Sequence, residues 1–211
     1  MNRRVALLVC LLALAVVWRF SKSSLQSSNA AAALVPAIDG SRIFFVPIGS
    51  FPADELDPLV EYYRQKYSLE VTVVRSVRLD DAARDPARQQ VVAEKLISSV
   101  RAGLPKIGKD PKAILIGFTS EDMFTTSQNW QFTPGWRDPR TRTAVVSTAR
   151  LHLPSDDQAF AADVSRARLR KIVTKDIGIM YYGLTPSGDP KSVLYKQIAG
   201  VEQLDQAGDE F

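Results

Sequence analysis

The chain has 211 residues, of which 45% are hydrophobic and 24% are charged, so it carries enough apolar sequence to fold around a core. One cysteine excludes an intramolecular disulfide and any cysteine-rich zinc module, and one histidine excludes any metal site that needs two or three imidazoles. The net charge of +4 arises in residues 1–34, which contain four basic residues and no acidic one, because the remainder holds 23 of each sign. A nucleic-acid partner is therefore not expected.

The N-terminal segment has the pattern of an export signal. Arg3 and Arg4 precede an apolar run from Val5 to Trp18, and a basic start followed by an apolar stretch is typical of a signal peptide or a signal anchor. Because the run is shorter than the ~20 residues of an ordinary membrane span, both alternatives stay open, and we favour the uncleaved anchor. The prediction is an anchor or signal peptide over residues 1–20, a flexible linker over 21–41 and a domain over 42–211.

Both alternatives place the domain outside the cytoplasm, because the basic end of such a leader stays inside. An uncleaved leader makes the chain a cell-membrane protein with one N-terminal anchor. A cleaved leader makes it a secreted or periplasmic protein.

The first half of the domain alternates strands and helices. Arg42–Gly49 is an apolar run rich in aromatic and β-branched residues, which predicts a buried strand that ends near Pro47. Pro52 and Asp54 open a predicted helix that extends to Tyr67. A second strand is expected over Leu69–Val77, and a second helix over Asp85–Gly103, with Asp85 as its N-cap.

The second half continues with strands Ala113–Phe118 and Thr143–Ser147, separated by a long loop over Thr119–Arg142 that is rich in aromatic residues. A long helix over Asp157–Tyr181 and a short one over Val201–Gly208 complete the domain. This order predicts an α/β (α+β) fold, a single domain with a mixed four-stranded sheet and helices packed on it.

Three stretches of this sequence resemble the archaemetzincins, a family of metzincin-type zinc peptidases. They are Arg88–Leu96, the strand and turn Ile114–Phe124, and Trp130–Trp136 taken together with Ala144–Leu151. The resemblance implies a metzincin-like fold over residues 42–211. It also implies a substrate cleft between the strand at 143–151 and the long helix, covered by the aromatic loop.

The sequence departs from the family at the zinc motif. Archaemetzincins carry His-Glu-x-x-His-x-x-Gly-x-x-His, in which two histidines of one helical face bind zinc and the glutamate polarises the metal-bound water. Here Lys175 stands at the first histidine position and Ile179 at the second, with Asp176 in place of the glutamate. Lysine repels a cation and isoleucine has no lone pair, so we predict a degenerate motif with no catalytic residue, no metal ligand and no cofactor.

The roles of Lys175 and Asp176 stay open at this point. Both are interpreted either as solvated helix charges or as buried groups. In the second case, the Lys175 ammonium occupies the place of the metal and pairs with an acidic neighbour.

Five aromatic residues are candidates for ligand binding in the cleft: Trp130, Phe132, Trp136, Tyr181 and Tyr182. For the three loop residues the alternative is that they cover the sheet edge, and for the two tyrosines it is core packing.

The leading hypothesis is a membrane-tethered, extracytoplasmic pseudo-peptidase that binds an unknown protein or peptide partner as a binding or assembly module. One alternative is an active zinc peptidase with an unrecognised ligand set, in which case zinc is the cofactor. The other is a structural cell-envelope protein whose sheet edge pairs with a partner strand.

Overall fold

A computed structural model describes residues 35–198 and 200–211. The predicted anchor over residues 1–20 and most of the predicted linker lie outside the described residues. Among the helices that are described, none combines the length and apolar character needed to cross a bilayer.

The described chain contains eight strands and five α-helices. The strands are β1 (Arg42–Pro47), β2 (Val71–Val73), β3 (Arg84–Asp85), β4 (Gln90–Val92), β5 (Ala113–Thr119), β6 (Met123–Phe124), β7 (Gly135–Asp138) and β8 (Thr143–Ser147). The helices are α1 (Asp57–Tyr67), α2 (Ala93–Gly103), α3 (Pro105–Gly108), α4 (Gln158–Met180) and α5 (Val201–Gln206).

The main sheet has the strand order β2-β1-β5-β8-β7, and a second, small sheet has the order β3-β4-β6. In the main sheet β2, β1, β5 and β8 are parallel, whereas β7 is an antiparallel edge strand. The prediction of a mixed sheet with packed helices is confirmed. The main sheet has five strands rather than four because β7 forms within the segment that the sequence assigns to a loop.

Apolar side chains on the two faces of the main sheet form two separate cores. Along β1, Ile43 and Phe45 face one core, while Phe44 and Val46 face the other, as the two-residue period of a strand requires. The first core packs against α1 and α4, and the second packs against α2. The sheet is therefore the middle of three layers, and α4 lies across the face next to the edge strand β7.

The helix predicted over Asp85–Gly103 begins later, at Ala93, so its first part is a correction. The Asp85 carboxylate accepts hydrogen bonds from the backbone N–H groups of Ala87 and Arg88, at 2.9 and 3.2 Å, which closes a turn instead of capping a helix. Gln89 then adopts a positive φ of 54°. The chain continues as β4, which pairs with β6, so a long-range pairing overrides the local helical pattern.

The long helix α4 is confirmed at both ends. Its N-cap is Asp157, whose carboxylate accepts a hydrogen bond from the N–H of Phe160 at 3.0 Å, and its C-cap is Tyr181. Contacts with the domain extend ahead of Arg42, since the N–H of Ala37 donates to the carbonyl of Tyr181 at 2.7 Å.

Candidate functional site

A cavity of about 210 Å³ lies between the edge strand β7 and the helix α4. We call it the cleft pocket. Its lining residues are Trp130, Pro134, Gly135, Trp136, Arg137, Ile172, Lys175, Asp176, Lys196 and Ile198. The sequence placed the cleft against the strand at 143–151, but β7 covers that strand, so the cleft pocket lies one strand further out.

The helix α4 presents Ile172, Lys175 and Asp176 to the cleft pocket, because residues three and four apart share one helical face. The strand β7 passes close to this face at Gly135. A Cβ atom at Gly135 would lie 2.8 Å from Cγ2 of Ile172, which is shorter than a normal carbon–carbon contact. The missing side chain therefore lets the edge strand approach the helix.

Asp176 is buried, with 2% of its surface exposed, and it forms an ion pair with the edge strand. The Arg137 Nε donates to Asp176 Oδ1 at 2.7 Å, whereas Oδ2 is buried with no hydrogen-bond partner among the described residues. Burial raises the pKa of Asp176, and the positive charge and hydrogen bond of Arg137 oppose that shift. The Asp176 carboxylate therefore pairs with Arg137 and positions it in the wall of the pocket.

Lys175 is also buried, with 6% of its surface exposed. Its Nζ donates to the backbone carbonyl of Tyr195. Burial lowers the pKa of Lys175 to about 8, the positive charge of Arg137 adds to this shift, and the negative charge of Asp176 opposes it. Of the two interpretations left open by the sequence, the structure shows the buried one, but Lys175 bonds a carbonyl and Asp176 takes Arg137 as its partner.

The five aromatic candidates lie in three places. Trp130 and Trp136 line the cleft pocket and meet edge to face, with their ring centroids 6.5 Å apart. Phe132 lies outside the cleft pocket. The central guanidinium carbon of Arg150 stacks over its ring, 4.5 Å from the ring centroid. Tyr181 and Tyr182 pack edge to face on each other at 4.8 Å, away from that pocket.

The loop that carries Trp130 is held from a distant segment. Arg88 Nη2 donates to the carbonyls of Trp130 and Gln131 at 3.1 and 2.7 Å, and its guanidinium stacks over the ring of Phe124 at 4.0 Å. Gln90 Nε2 donates to the same Gln131 carbonyl at 3.0 Å. The indole wall of the pocket is therefore built into the fold before any ligand binds.

Sequence reasoning missed Arg137, Lys196 and Tyr195. Arg137 belongs to β7, which lacks the β-branched pattern that identifies a strand, and Lys196 and Tyr195 lie in a segment without regular structure. Arg137 can be recognised in retrospect because it directly follows Trp136 in the sequence.

Comparison with protein-family models finds no match to this chain. Among curated proteins, the archaemetzincin of Haloquadratum walsbyi is 32% identical over 157 residues, which cover 71% of this chain and 83% of the relative. The archaemetzincin of Natronomonas pharaonis is 31% identical over 140 residues, covering 65% of this chain and 76% of the relative.

Solved structures share the fold. The archaemetzincin of Methanopyrus kandleri superposes with a TM-score of 0.64 at 23% identity, covering 83% of this chain and 92% of that chain. The archaemetzincin of Archaeoglobus fulgidus, complexed with malonate, gives 0.62 at 19% identity, covering 80% and 94%. A zinc-dependent peptidase from Methanocorpusculum labreanum gives 0.61 at 19% identity, covering 80% and 95%.

These comparisons contradict the prediction that no cofactor takes part, because the matching fold occurs in a zinc-dependent peptidase and the curated relatives are archaemetzincins. The question for this site is therefore whether its side chains could bind a zinc ion. Within residues 35–198 and 200–211, no three His, Cys, Asp or Glu side chains are grouped so that they could hold a metal ion. Lys175 bonds a carbonyl and Asp176 bonds Arg137, so the residues at the motif positions do not fit a zinc ion.

Proposed function

Because the chain belongs to the archaemetzincin family, we propose that it is a pseudo-peptidase, which uses the family's cleft to bind a protein or peptide partner without hydrolysing it. The observation that carries this proposal is the buried Lys175 and the Arg137–Asp176 pair at the motif positions of α4. A cation stands where the family motif has its first metal-binding histidine. The residue in the place of the glutamate is held by an arginine.

Peptide hydrolysis needs a group that activates water and a positive centre that stabilises the developing oxyanion. Asp176 is the only carboxylate that lines the cleft pocket within the described chain. One of its oxygens accepts from Arg137 and the other is shielded from solvent, so water does not reach it. The pocket thus keeps positive charge but has no accessible carboxylate base among the described residues.

Peptide binding, in contrast, is favoured by the surroundings of the cleft pocket. The strand β7 is the outer edge of the main sheet, and an edge strand offers unpaired backbone groups to an extended peptide. Trp130 and Trp136 form an aromatic wall beside this edge, and rigid aromatic side chains are frequent anchors in interfaces.

The proposal includes a membrane tether. Arg3, Arg4 and the apolar run from Val5 to Trp18 support an N-terminal anchor with the domain outside the cytoplasm. Cell fractionation with protease treatment of intact cells or spheroplasts tests this part. We expect the chain in the membrane fraction and accessible to the protease from outside, and recovery in the cytosolic fraction would contradict it.

The binding function is tested with the full chain, purified in a nonionic detergent. Quenched fluorescent peptides are incubated with it once with added zinc and once with a chelator, and labelled peptides are used for binding by fluorescence anisotropy. We expect binding without cleavage under both conditions. Zinc-dependent cleavage that the chelator abolishes would contradict the proposal.

Two variants provide a matched pair for the binding assay. Trp130→Ala removes an aromatic side chain that lines the cleft pocket, and we expect peptide affinity to fall about tenfold. Phe132→Ala removes an aromatic side chain of the same loop that lies outside the pocket, and we expect affinity to stay unchanged. Equal losses in both variants would mean that the loop, rather than the pocket, binds the peptide.

A further inference from the structure

The charges that line the cleft pocket are unbalanced. Arg137, Lys175 and Lys196 are cationic, and Asp176 is the one acidic residue in the described lining. Because the Asp176 carboxylate is 2% exposed and bonded to Arg137, it compensates the arginine but offers little negative charge to the cavity. The lining therefore favours an anion.

Several cationic donors in this lining have no protein partner in the described chain. Arg137 uses Nε for Asp176, and its two terminal nitrogens form no hydrogen bond with another described residue. Lys175 uses one N–H for the Tyr195 carbonyl, although an ammonium has three donors. Lys196 is exposed at the rim, and among residues 35–198 and 200–211 its side chain forms no hydrogen bond. Forked guanidinium nitrogens beside an ammonium match the two oxygens of a carboxylate.

The remainder of the lining is apolar and small. Trp130, Trp136, Ile172 and Ile198 face the same cavity. At about 210 Å³ the cavity is smaller than the 300–1,000 Å³ of ordinary ligand pockets, so it accommodates one residue rather than a long ligand. An inorganic phosphate or sulfate ion would leave the aromatic wall without a partner.

We propose that the cleft pocket recognises a free carboxylate carried by an apolar residue, with Arg137, Lys175 and Lys196 on the carboxylate and the two indoles on the apolar group. This inference rests on the proposed binding function and names its ligand chemistry. The chemistry has two sources, namely the C-terminal residue of a peptide and a free acylated amino acid.

The test compares ligands that differ only in the carboxylate. A labelled hexapeptide that ends in Leu-Phe is prepared with a free C-terminus and as its C-terminal amide, and both are titrated with the full chain in nonionic detergent. We expect the free acid to bind about tenfold to a hundredfold more tightly, with a preference that weakens as salt is added. Equal affinity of acid and amide would overturn the proposal.

Variants link this preference to the pocket. Lys175→Met is expected to lose most of the preference for the acid, and Lys196→Gln to lose about half of it, measured as the logarithm of the affinity ratio. Lys109→Gln, at an exposed lysine that does not line the cleft pocket, should keep the preference. If Lys175→Met fails to fold, Lys196→Gln still decides, because the Lys196 side chain is exposed and makes no hydrogen bond within the described part of the chain. A preference that all three variants retain would overturn the proposal.

A third ligand identifies the source of the carboxylate. Competition by N-acetylphenylalanine at an affinity similar to that of the peptide assigns the pocket to a small acylated amino acid. Displacement by the acid peptide alone assigns it to a peptide C-terminus, and both results support carboxylate recognition. Failure of the proposed function would give a different result. If the chain were a peptidase, the hexapeptide would be cleaved to a shorter product, whether the free acid or the amide binds more tightly.

Discussion

The most direct physical consequence of the site is the stability cost of burying Lys175, which Lys175→Met removes at nearly constant side-chain volume. Burial lowers the pKa of this lysine to about 8, whereas an ordinary lysine has a pKa of about 10.4. Each pKa unit corresponds to about 1.4 kcal/mol. The charged form therefore costs the folded state about 3 kcal/mol.

The sign of the pH dependence follows from which state binds the proton. Below pH 8 the lysine is protonated in both states, and the folded wild-type chain bears the full cost. Between pH 8 and about 10.4 the unfolded state binds more protons than the folded state, so the free energy of unfolding rises with pH. The methionine variant has no such proton. Its stability relative to wild type should therefore fall by about 3 kcal/mol across this range, most of it before pH 10.

Urea unfolding of the full chain in nonionic detergent, followed by tryptophan fluorescence at pH 7, 8, 9 and 10, measures this difference. The hydrogen bond to the Tyr195 carbonyl is lost in the variant, but that loss is a constant offset because neutral lysine also donates. Burial raises the pKa of Tyr67 and Tyr182 in both proteins, so their titration cancels. Lys109→Met, at an exposed lysine, is the control and should show no pH-dependent difference.

A difference between Lys175→Met and wild type that stays flat from pH 7 to pH 10 would refute the reasoning. It would mean that the ammonium is solvated or paired in the folded protein, and the assignment of Lys175 as a buried, uncompensated cation would be wrong.

Three further perturbations test the architecture of the domain, all by urea unfolding at pH 7. Arg137→Leu should lower the free energy of unfolding by about 3–5 kcal/mol, because it leaves the buried Asp176 carboxylate unpaired, and adding Asp176→Asn should restore much of this loss. Asp205→Asn should cost about 1–3 kcal/mol, because it weakens the two-point ion pair of Asp205 with Arg168, at 2.8 and 2.6 Å, and the Arg168 side chain is only 6% exposed. Gly135→Ala should cost about 1–3 kcal/mol through the clash with Cγ2 of Ile172, and this cost should be smaller in an Ile172→Ala background, which lacks Cγ2.

Each of these predictions has a result that contradicts it. If Arg137→Leu and the double variant lose equal stability, the ion pair with Asp176 is not what Arg137 contributes. Asp163→Asn removes an exposed partner of Arg166 and should cost below about 0.5 kcal/mol, so an equal effect of Asp205→Asn would contradict a stabilising ion pair between Asp205 and Arg168. If Gly135→Ala leaves the free energy of unfolding unchanged, β7 does not approach α4 as closely as the structure shows.

Local pattern was sufficient for the elements whose signal is contained in their own residues. The runs of β-branched and aromatic residues in β1, β5 and β8 identify strands without reference to the rest of the chain, and Asp157 marks the start of α4 because a cap bonds its own first turn. It was insufficient for β4 and β7, which are three and four residues long. The strand β4 pairs with β6, far along the chain, whereas β7 pairs with β8 across a short turn but contains no β-branched residue that would identify it as a strand.

The candidate site divides in the same way. That Lys175 and Ile179 replace two metal-binding histidines is visible in the sequence, since residue identity alone decides whether a side chain has a lone pair for a metal. The tertiary structure alone decided the contacts of these residues. It pairs Arg137 with Asp176 and bonds Lys175 to the Tyr195 carbonyl. It also places Trp130 and Trp136 in one pocket and leaves Phe132 outside. Asp176 and Arg137 are 39 residues apart, and only the packing of β7 on α4 brings such distant charges within hydrogen-bonding distance.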